Sequence, residues 1–314
     1  MAWLNSGILP NPLNHTFIAL IPKSHNPEYA HQYHPISLCN VLYKIYSKVL
    51  ANRLKKLIPH IVTEHQSAFT KGRLISDNIL ATFETLHSLQ NYKSRTHGFM
   101  AIKLDMSKAY DRVDWNFLEQ LMRKLGFNER WIHMIMGCVK TISYSVLVNG
   151  EPCGLIQPTH GIRQGDPLSP FLFLLCTEGL NGLIKRAKNN GDVHGFSLCR
   201  RGPKLTHLLF ADDSLLFCRA TKEECGKVLE ILNMYEMASG QKVNRRKTSL
   251  FFSKSTPAEL KHEIKVALGV PEIMQYEKYL GLPSLVGKRK KASFNYIKER
   301  VWRKLQGWEG KLLS

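Results

Sequence analysis

The run Leu208-Leu209-Phe210-Ala211-Asp212-Asp213-Ser214-Leu215-Leu216-Phe217 sets two adjacent carboxylates between two apolar stretches, which reads as two buried strands joined by a tight acidic turn. Carboxylates held this close repel each other, and a bound cation relieves the repulsion. An ordinary hairpin turn carrying acidic residues gives the same pattern, so the run alone leaves both readings open. A second run, Phe99-Met100-Ala101-Ile102-Lys103-Leu104-Asp105, is strand-like and also ends at a carboxylate. The residues after it, through Tyr110 to Trp115, read as the start of a helix, and Asp105 fits a helix N-cap equally well. Two strands that deliver Asp to one sheet edge would instead gather hard oxygen ligands suited to Mg²⁺, which takes a few carboxylates together with substrate phosphates. On that reading Asp105, Asp212 and Asp213 are the metal ligands.

A third element is Gly161-Ile162-Arg163-Gln164-Gly165-Asp166-Pro167-Leu168-Ser169-Pro170, a glycine and proline loop running into the apolar Phe171-Leu172-Phe173-Leu174-Leu175 of a buried helix. Gly165 leaves space for a planar group to approach the backbone, and Gln164 offers both a donor and an acceptor.

Around these elements the chain divides at about residue 97. The first part reads as mainly helical: Val41, Leu42, Ile45, Tyr46, Val49, Leu50 and Leu54 keep a helical period, with Lys44, Lys48, Arg53, Lys55 and Lys56 on other faces. A further helix follows through Ile79, Leu80, Phe83, Leu86 and Leu89. From 98 to 283 strands alternate with helices, and Val146-Leu147-Val148-Asn149-Gly150 ends in an Asn-Gly turn signal with Leu155-Ile156-Gln157 as its return strand. The pattern is that of an α+β fold, a sheet backed by helices. In 284–314, Phe294, Ile297, Val301, Leu305 and Trp308 form one helical stripe, which a single helix cannot bury by itself.

The 314 residues carry 44 Lys and Arg against 25 Asp and Glu, a formal charge of +19, so an anionic polymer is the natural partner. No apolar run approaches the roughly 20 residues of a membrane span, and the start lacks a secretory signal, so the chain is expected to work inside the cell. The seven cysteines include no Cys-x-x-Cys pair and read as buried apolar residues. His25, His31 and His34 have no companion ligands and are assigned no metal.

These residues resemble the reverse transcriptase domain of non-LTR (LINE-type) retrotransposons, most closely the plant versions. Ile102 to Asp111 resembles the family's motif A, Gly161 to Phe173 its motif B, and Phe210-Ala211-Asp212-Asp213 its motif C, in the family's order and spacing. Ile21-Pro22-Lys23 with Pro35-Ile36-Ser37-Leu38, and Gln66-Ser67-Ala68-Phe69 with Gly72-Arg73, are similar to the finger motifs. Ser239-Gly240-Gln241-Lys242-Val243-Asn244 with Lys247 is similar to motif D, and Tyr279-Leu280-Gly281 to the primer grip.

The resemblance implies a right-hand polymerase with fingers in 1–97, an antiparallel palm sheet within 98–283, and the start of a thumb in 284–314 that is cut short, with no endonuclease or RNase H. It implies an RNA template, a DNA primer and dNTP as partners, with two Mg²⁺ ions as cofactors and Mn²⁺ as a substitute. Lys247 is then a general acid for pyrophosphate, Lys71 and Arg73 hold the triphosphate, and Tyr110 excludes a 2′-hydroxyl. Gln164 and Gly165 line the nucleotide pocket, Phe69 packs beneath the finger loop, and Tyr279, Leu280 and Gly281 grip the primer. Where the family usually has an arginine before Pro-Ile-Ser-Leu, this chain has His34, mostly neutral at pH 7 and without the same fork. A catalytically silent, basic nucleic-acid-binding module descended from such an enzyme is the alternative, and a polymerase copying RNA into RNA is a third. Lys288-Arg289-Lys290-Lys291 reads equally as a nuclear address or as a backbone-phosphate contact.

Overall fold

Five of the six residues in Phe99–Leu104 are buried, and a strand apolar on both faces belongs inside a sheet covered on both sides. The computed structural model, which describes residues 11–94, 97–199, 202–270, 278–283 and 290–309, builds that arrangement. After a helical turn at Asn11–Asn14 come strands β1 (His15–Pro22) and β2 (Tyr33–Cys39) and helices α1 (Val41–Ile61) and α2 (Ile75–Asn91). Next are β3 (Phe99–Leu104), α3 (Trp115–Lys124), α4 (Glu129–Lys140), β4 (Ser143–Val148) and β5 (Glu151–Ile156). The long α5 (Ser169–Asn190) leads to β6 (His207–Phe210), β7 (Asp213–Arg219), α6 (Lys222–Ser239), β8 (Ser249–Phe252) and α7 (Ala258–Leu268). The pair β9 (Lys278–Tyr279) and β10 (Leu282–Pro283) and helix α8 (Lys290–Glu309) follow.

The central sheet runs β6-β7-β3-β8 and is antiparallel throughout. Its pleat sorts the core into two sides. Met100, Ile102 and Leu104 of β3 and Leu216 and Cys218 of β7 share a cluster with residues of α1 and α3 to α7. Phe99 and Ala101, with Leu215 and Phe217, pack instead on Leu86 and Leu89 of α2 and on Tyr279. The sheet is thus sandwiched between helices, as the α+β reading requires.

A second sheet, β2-β1-β4-β5, includes one parallel pair, β1 with β4, from His15 opposite Ser143 to Ile18 opposite Val146. Its strands come from both sides of residue 97, so the first part of the chain, mainly helical through α1 and α2 as expected, also supplies two strands. The signal was masked by Pro35, which a ladder tolerates because β2 is an edge strand. The Asn149-Gly150 turn is as read: both residues have positive φ, 54° and 88°, as a type I′ hairpin needs.

The helix expected directly after Asp105 does not form; residues 105–114 stay in turns and α3 begins only after its N-cap, Asp114, whose side chain accepts from the Phe117 N–H at 2.8 Å. The segment's backbone groups bond to neighbouring chain instead of to a helix ladder. Ser107 N–H donates to the Lys242 carbonyl, Asn244 N–H to the Asp105 carbonyl, and Ile162 N–H to the Tyr110 carbonyl, each at 2.8 Å. Lys108 at φ 51° completes the break.

The loop before α5 is fixed by charge buried beneath it. The Arg163 guanidinium lies 3.9 Å from the centre of the Tyr43 ring and donates to Asn14 and, at 2.8 Å, to the Cys138 carbonyl. Tyr43 in turn donates to Asp166 at 2.5 Å, and Asp166 accepts from the Leu168 N–H at the helix start.

Five of the seven cysteines are buried, as expected, while Cys153 and Cys199 are exposed. Among the described residues no helix is long and apolar enough to cross a membrane. On α8, Phe294, Val301 and Leu305 of the apolar stripe stand exposed. Lys288 and Arg289 lie outside the described residues, as do the side chains of Lys290, Lys291 and Trp308.

Gly240 closes α6 at φ 74°, and a Cβ there would meet the Arg112 carbonyl oxygen at 2.5 Å. Gly240→Ala is expected to lower unfolding free energy by about 2 kcal/mol or more, read from the urea midpoint.

Candidate active site

The β6–β7 connection is a two-residue turn, Ala211 and Asp212, with Phe210 paired to Asp213. The turn therefore sits one residue earlier than the Asp212-Asp213 pair anticipated, and Asp213 is the first residue of β7. The register of β3 against β7 pairs Leu104 with Ser214, which brings the end of β3, and with it Asp105, beside that turn. Asp105 and Asp212 both open on one cleft of about 990 Å³.

Charge in the cleft follows from this closeness. Burial raises the pKa of the Asp212 carboxyl, and the Asp105 charge raises it further. Asp213 is raised by burial, by Asp212 and by Asp105, and is lowered by Lys103. Among the described residues, however, no three His, Cys, Asp or Glu side chains gather as a metal-holding group. Asp213, the third carboxylate expected as a ligand, is not among the residues that line the cleft. Odd-numbered β7 residues face the cluster that holds Tyr279, and Asp213 stands on that side, close enough to raise the Tyr279 pKa after burial has done most of it. Asp212, one position earlier, faces the cleft. Two carboxylates on a cleft still fit Mg²⁺, whose other positions are commonly taken by water and substrate phosphates.

Four other residues singled out in the sequence line the same cleft: Tyr110, Gln164, Gly165 and Lys247. The Tyr110 ring stacks on Phe173 of α5 with centroids 5.2 Å apart and planes 11° off parallel, and burial and Asp212 push its hydroxyl pKa up to about 12. Tyr110 lies in the turns that follow Asp105 and not in a first helical turn. Gln164 donates to Asp111 at 3.1 Å, and its carbonyl accepts from the Ser37 N–H of β2 at 2.9 Å, which docks the second sheet on the loop. Gly165 has φ 102°, and an added Cβ would reach 3.4 Å from the Ser37 carbonyl. The motif around Lys247 folds against Asp105 through Asn244.

Other expected residues sit elsewhere. Arg73 turns its guanidinium onto the carbonyls of Thr63, Gln66 and Val62, the last at 3.1 Å, so its fork is occupied by backbone and it does not line the cleft. Lys71 is exposed and also off the cleft lining. Phe69 does not pack beneath a loop; it is 52% exposed at φ 51°. The Tyr279 side chain is buried, its hydroxyl donating to Asn78 at 2.9 Å, which leaves the Leu280-Gly281 turn as the outward part of that motif.

The cleft also holds cations that the sequence reading did not assign, Lys23, Lys48 and Lys108. Lys48 was visible as part of the basic side of α1, and Lys108 as a neighbour of Asp105. No sequence signal showed that the β1–β2 connection, with Lys23 and Tyr33, closes over the same space.

A family model described as reverse transcriptase (RNA-dependent DNA polymerase) matches residues 21–296. An uncharacterised mitochondrial protein of Arabidopsis thaliana is 53% identical over 22% of this chain and 56% of its own length. The Transposon TX1 uncharacterised protein of Xenopus laevis is 26% identical over 98% of this chain, which spans 23% of it. The Pol polyprotein of type-1 retrotransposable element R2 from Popillia japonica is 27% identical over 67% of this chain, which spans 28% of it. Among solved structures, the apo telomerase of Candida tropicalis truncated from its C-terminal domain aligns with a TM-score of 0.54 at 15% identity, over 88% of this chain and 54% of that one. The telomerase of Candida albicans in complex with a telomeric RNA fragment aligns at 0.55 and 14%, over 90% and 47%. This second likeness is one of fold.

Two outcomes follow from the geometry. A carboxyl whose pKa is raised on folding opposes folding once ionised: the penalty is absent below the unfolded value of 3.8, grows as pH rises toward the raised value, and is full above it. Without divalent metal, Asp212→Asn is therefore expected to be more stable than wild type at about pH 7 and equal to it near pH 3, in urea titrations. Arg73→Ala is expected to lose roughly 1–3 kcal/mol of stability, having left buried carbonyls unpaired, while calorimetric dNTP affinity stays unchanged.

Proposed function

The chain belongs to the reverse transcriptase (RNA-dependent DNA polymerase) family, and we propose that it is the RNA-directed DNA polymerase domain of a LINE-type, non-LTR retroelement. The observation that carries this reading is the meeting of Asp105 and Asp212, from opposite ends of the sequence's central half, on one cleft lined by lysines. In this reading residues 98–283 act mainly as palm, the β1–β2–β4–β5 sheet with α1 and α2 as fingers, and α8 as the start of a thumb.

The reaction joins a primer 3′-hydroxyl to the α-phosphate of a dNTP and releases pyrophosphate. Divalent magnesium, as two ions or with manganese in its place, supplies the Lewis acidity that makes the hydroxyl nucleophilic and neutralises the departing charge. Asp105 and Asp212 are the residues that would hold it. Lys23, Lys48 and Lys108 add positive charge for the triphosphate, and Lys247 donates a proton to the pyrophosphate. Tyr110, braced by Phe173, lies under the sugar and rejects a 2′-hydroxyl, which selects deoxynucleotides. Gln164 and Gly165 bound the space for the nascent base pair, and the Leu280-Gly281 turn meets the primer backbone. The formal charge of +19 suits a template–primer duplex of RNA and DNA.

The position of Asp213 away from the cleft favours a second reading, a binding module without catalysis. Primer extension separates the two: protein, RNA template, DNA primer, dNTP and Mg²⁺, with Asp212→Ala alongside and rNTP in place of dNTP as a third arm. The expected result is extension with dNTP that Asp212→Ala lowers by roughly a hundredfold or more. Binding of template–primer with no extension by wild type would sink the polymerase reading.

A further inference from the structure

We infer that Gln66 is a positioning residue for the acidic turn: its side-chain oxygen fixes the backbone from which Asp212 faces the cleft. The inference rests on the polymerase reading only for the role of Asp212; the hold on the turn is a matter of geometry.

Gln66 is fully buried between α1 and α2. Its Oε1 accepts from two backbone N–H groups, those of Ala68 and Ala211, both at 3.0 Å. Two donors fix which end of the amide is oxygen, and both lone pairs are used. The Nε2 group points the other way, to the Thr177 hydroxyl of α5 at 3.4 Å. One side chain therefore joins the finger segment, the long helix behind the glycine loop, and the turn between β6 and β7.

Ala211 is the residue that needs such a hold. It has φ 53°, a left-handed conformation that L residues with a Cβ adopt at a cost and keep only when their surroundings enforce it. As the first residue of a two-residue turn it has no ladder partner for its N–H; Gln66 provides one. The main chain beside Gln66 is already tied to β6: Ser67 N–H donates to the Leu209 carbonyl at 3.0 Å, and Leu209 N–H to the His65 carbonyl at 2.8 Å. Asn78 adds a donor to the same Leu209 carbonyl at 3.0 Å. Those bonds register the strand, and none of them reaches the turn. Gln66 alone among these groups bonds to the residue before Asp212, so its loss should free the turn while leaving the strand registered.

The test compares Gln66→Met, of similar length but with no acceptor, with Gln66→Glu, which retains an oxygen for both N–H groups. Residue-resolved amide hydrogen exchange is read at Ala211 and at Leu209 and Leu215, and Mn²⁺ affinity is read by electron paramagnetic resonance, with Asp212→Ala as the control for the site. The expected result for Gln66→Met is exchange at Ala211 faster by about tenfold or more, with Leu209 and Leu215 unchanged, and Mn²⁺ binding weaker by about tenfold. Gln66→Glu is expected to keep Ala211 as protected as in wild type. A purely structural staple would instead raise exchange at all three residues together and leave the Mn²⁺ affinity of the folded protein alone, and that result overturns the proposal. So does unchanged exchange at Ala211. Should Gln66→Met not fold, Gln66→Glu decides, because loss of protection at Ala211 in that folded variant is equally fatal. A wild type without Asp212-dependent Mn²⁺ binding would defeat the metal reading of the cleft, and exchange at Ala211 would still decide whether Gln66 holds the turn.

Discussion

Like charges at one edge of a sheet repel, and Asp105 and Asp212 raise each other's energy whenever both are ionised. What keeps them together is the backbone on either side. Asp105 is followed by nine non-helical residues, and backbone groups of this stretch are taken up by the segments around Lys242, Asn244 and Ile162. Asp212 follows a residue in a left-handed conformation that is bonded into the protein interior. Neither carboxylate is free to relax away from the other without breaking buried hydrogen bonds, which is the condition for a site poised to take up a cation.

The loop opposite these carboxylates is held by a different device. Burial opposes the charge on Arg163, while the Asp166 carboxylate and the face of the Tyr43 ring, 3.9 Å from the guanidinium, favour it. Breaking one partner of such a group leaves an uncompensated charge in the interior, so the three residues stand or fall together. They bind α1 to the start of α5 and so fix where Gln164 and Gly165 lie, with the Ser37 N–H resting on the Gln164 carbonyl. The first part of the chain and the central sheet are therefore joined through the Gln164-Gly165 loop itself.

Much of this was legible in the amino-acid order, and the failures have physical reasons. The buried strands announced themselves through unbroken apolar runs, and Asn149-Gly150 through the one turn type that suits it. The helix expected after Asp105 was wrong because local propensity yielded to long-range backbone pairing, which no window of sequence contains. Pro35 hid an edge strand. Arg73 was read as a phosphate clamp because its type fits one, whereas three nearby carbonyls claim its donors. Asp212 and Asp213 were read together because they are adjacent in sequence, whereas the strand starts between them and Asp212 alone lines the cleft. Gln66 stood out only as part of the finger resemblance, and its hold on the turn had no signature, since a single amide becomes informative only when its distant partner is known.

The parallel pairing of β1 with β4 joins His15 to Ser143, 128 residues apart. During synthesis at about 5–20 residues per second, β1 leaves the ribosome on the order of ten seconds before the strand it must lie beside exists. Through that interval its only sheet neighbour is β2, and Phe17, Leu20 and Ile21, still partly exposed in the finished fold, are presented by an unfinished hairpin. The nascent chain is thus most open to chaperones and to faulty self-association between the making of β1 and the making of β4, before its acidic turn exists.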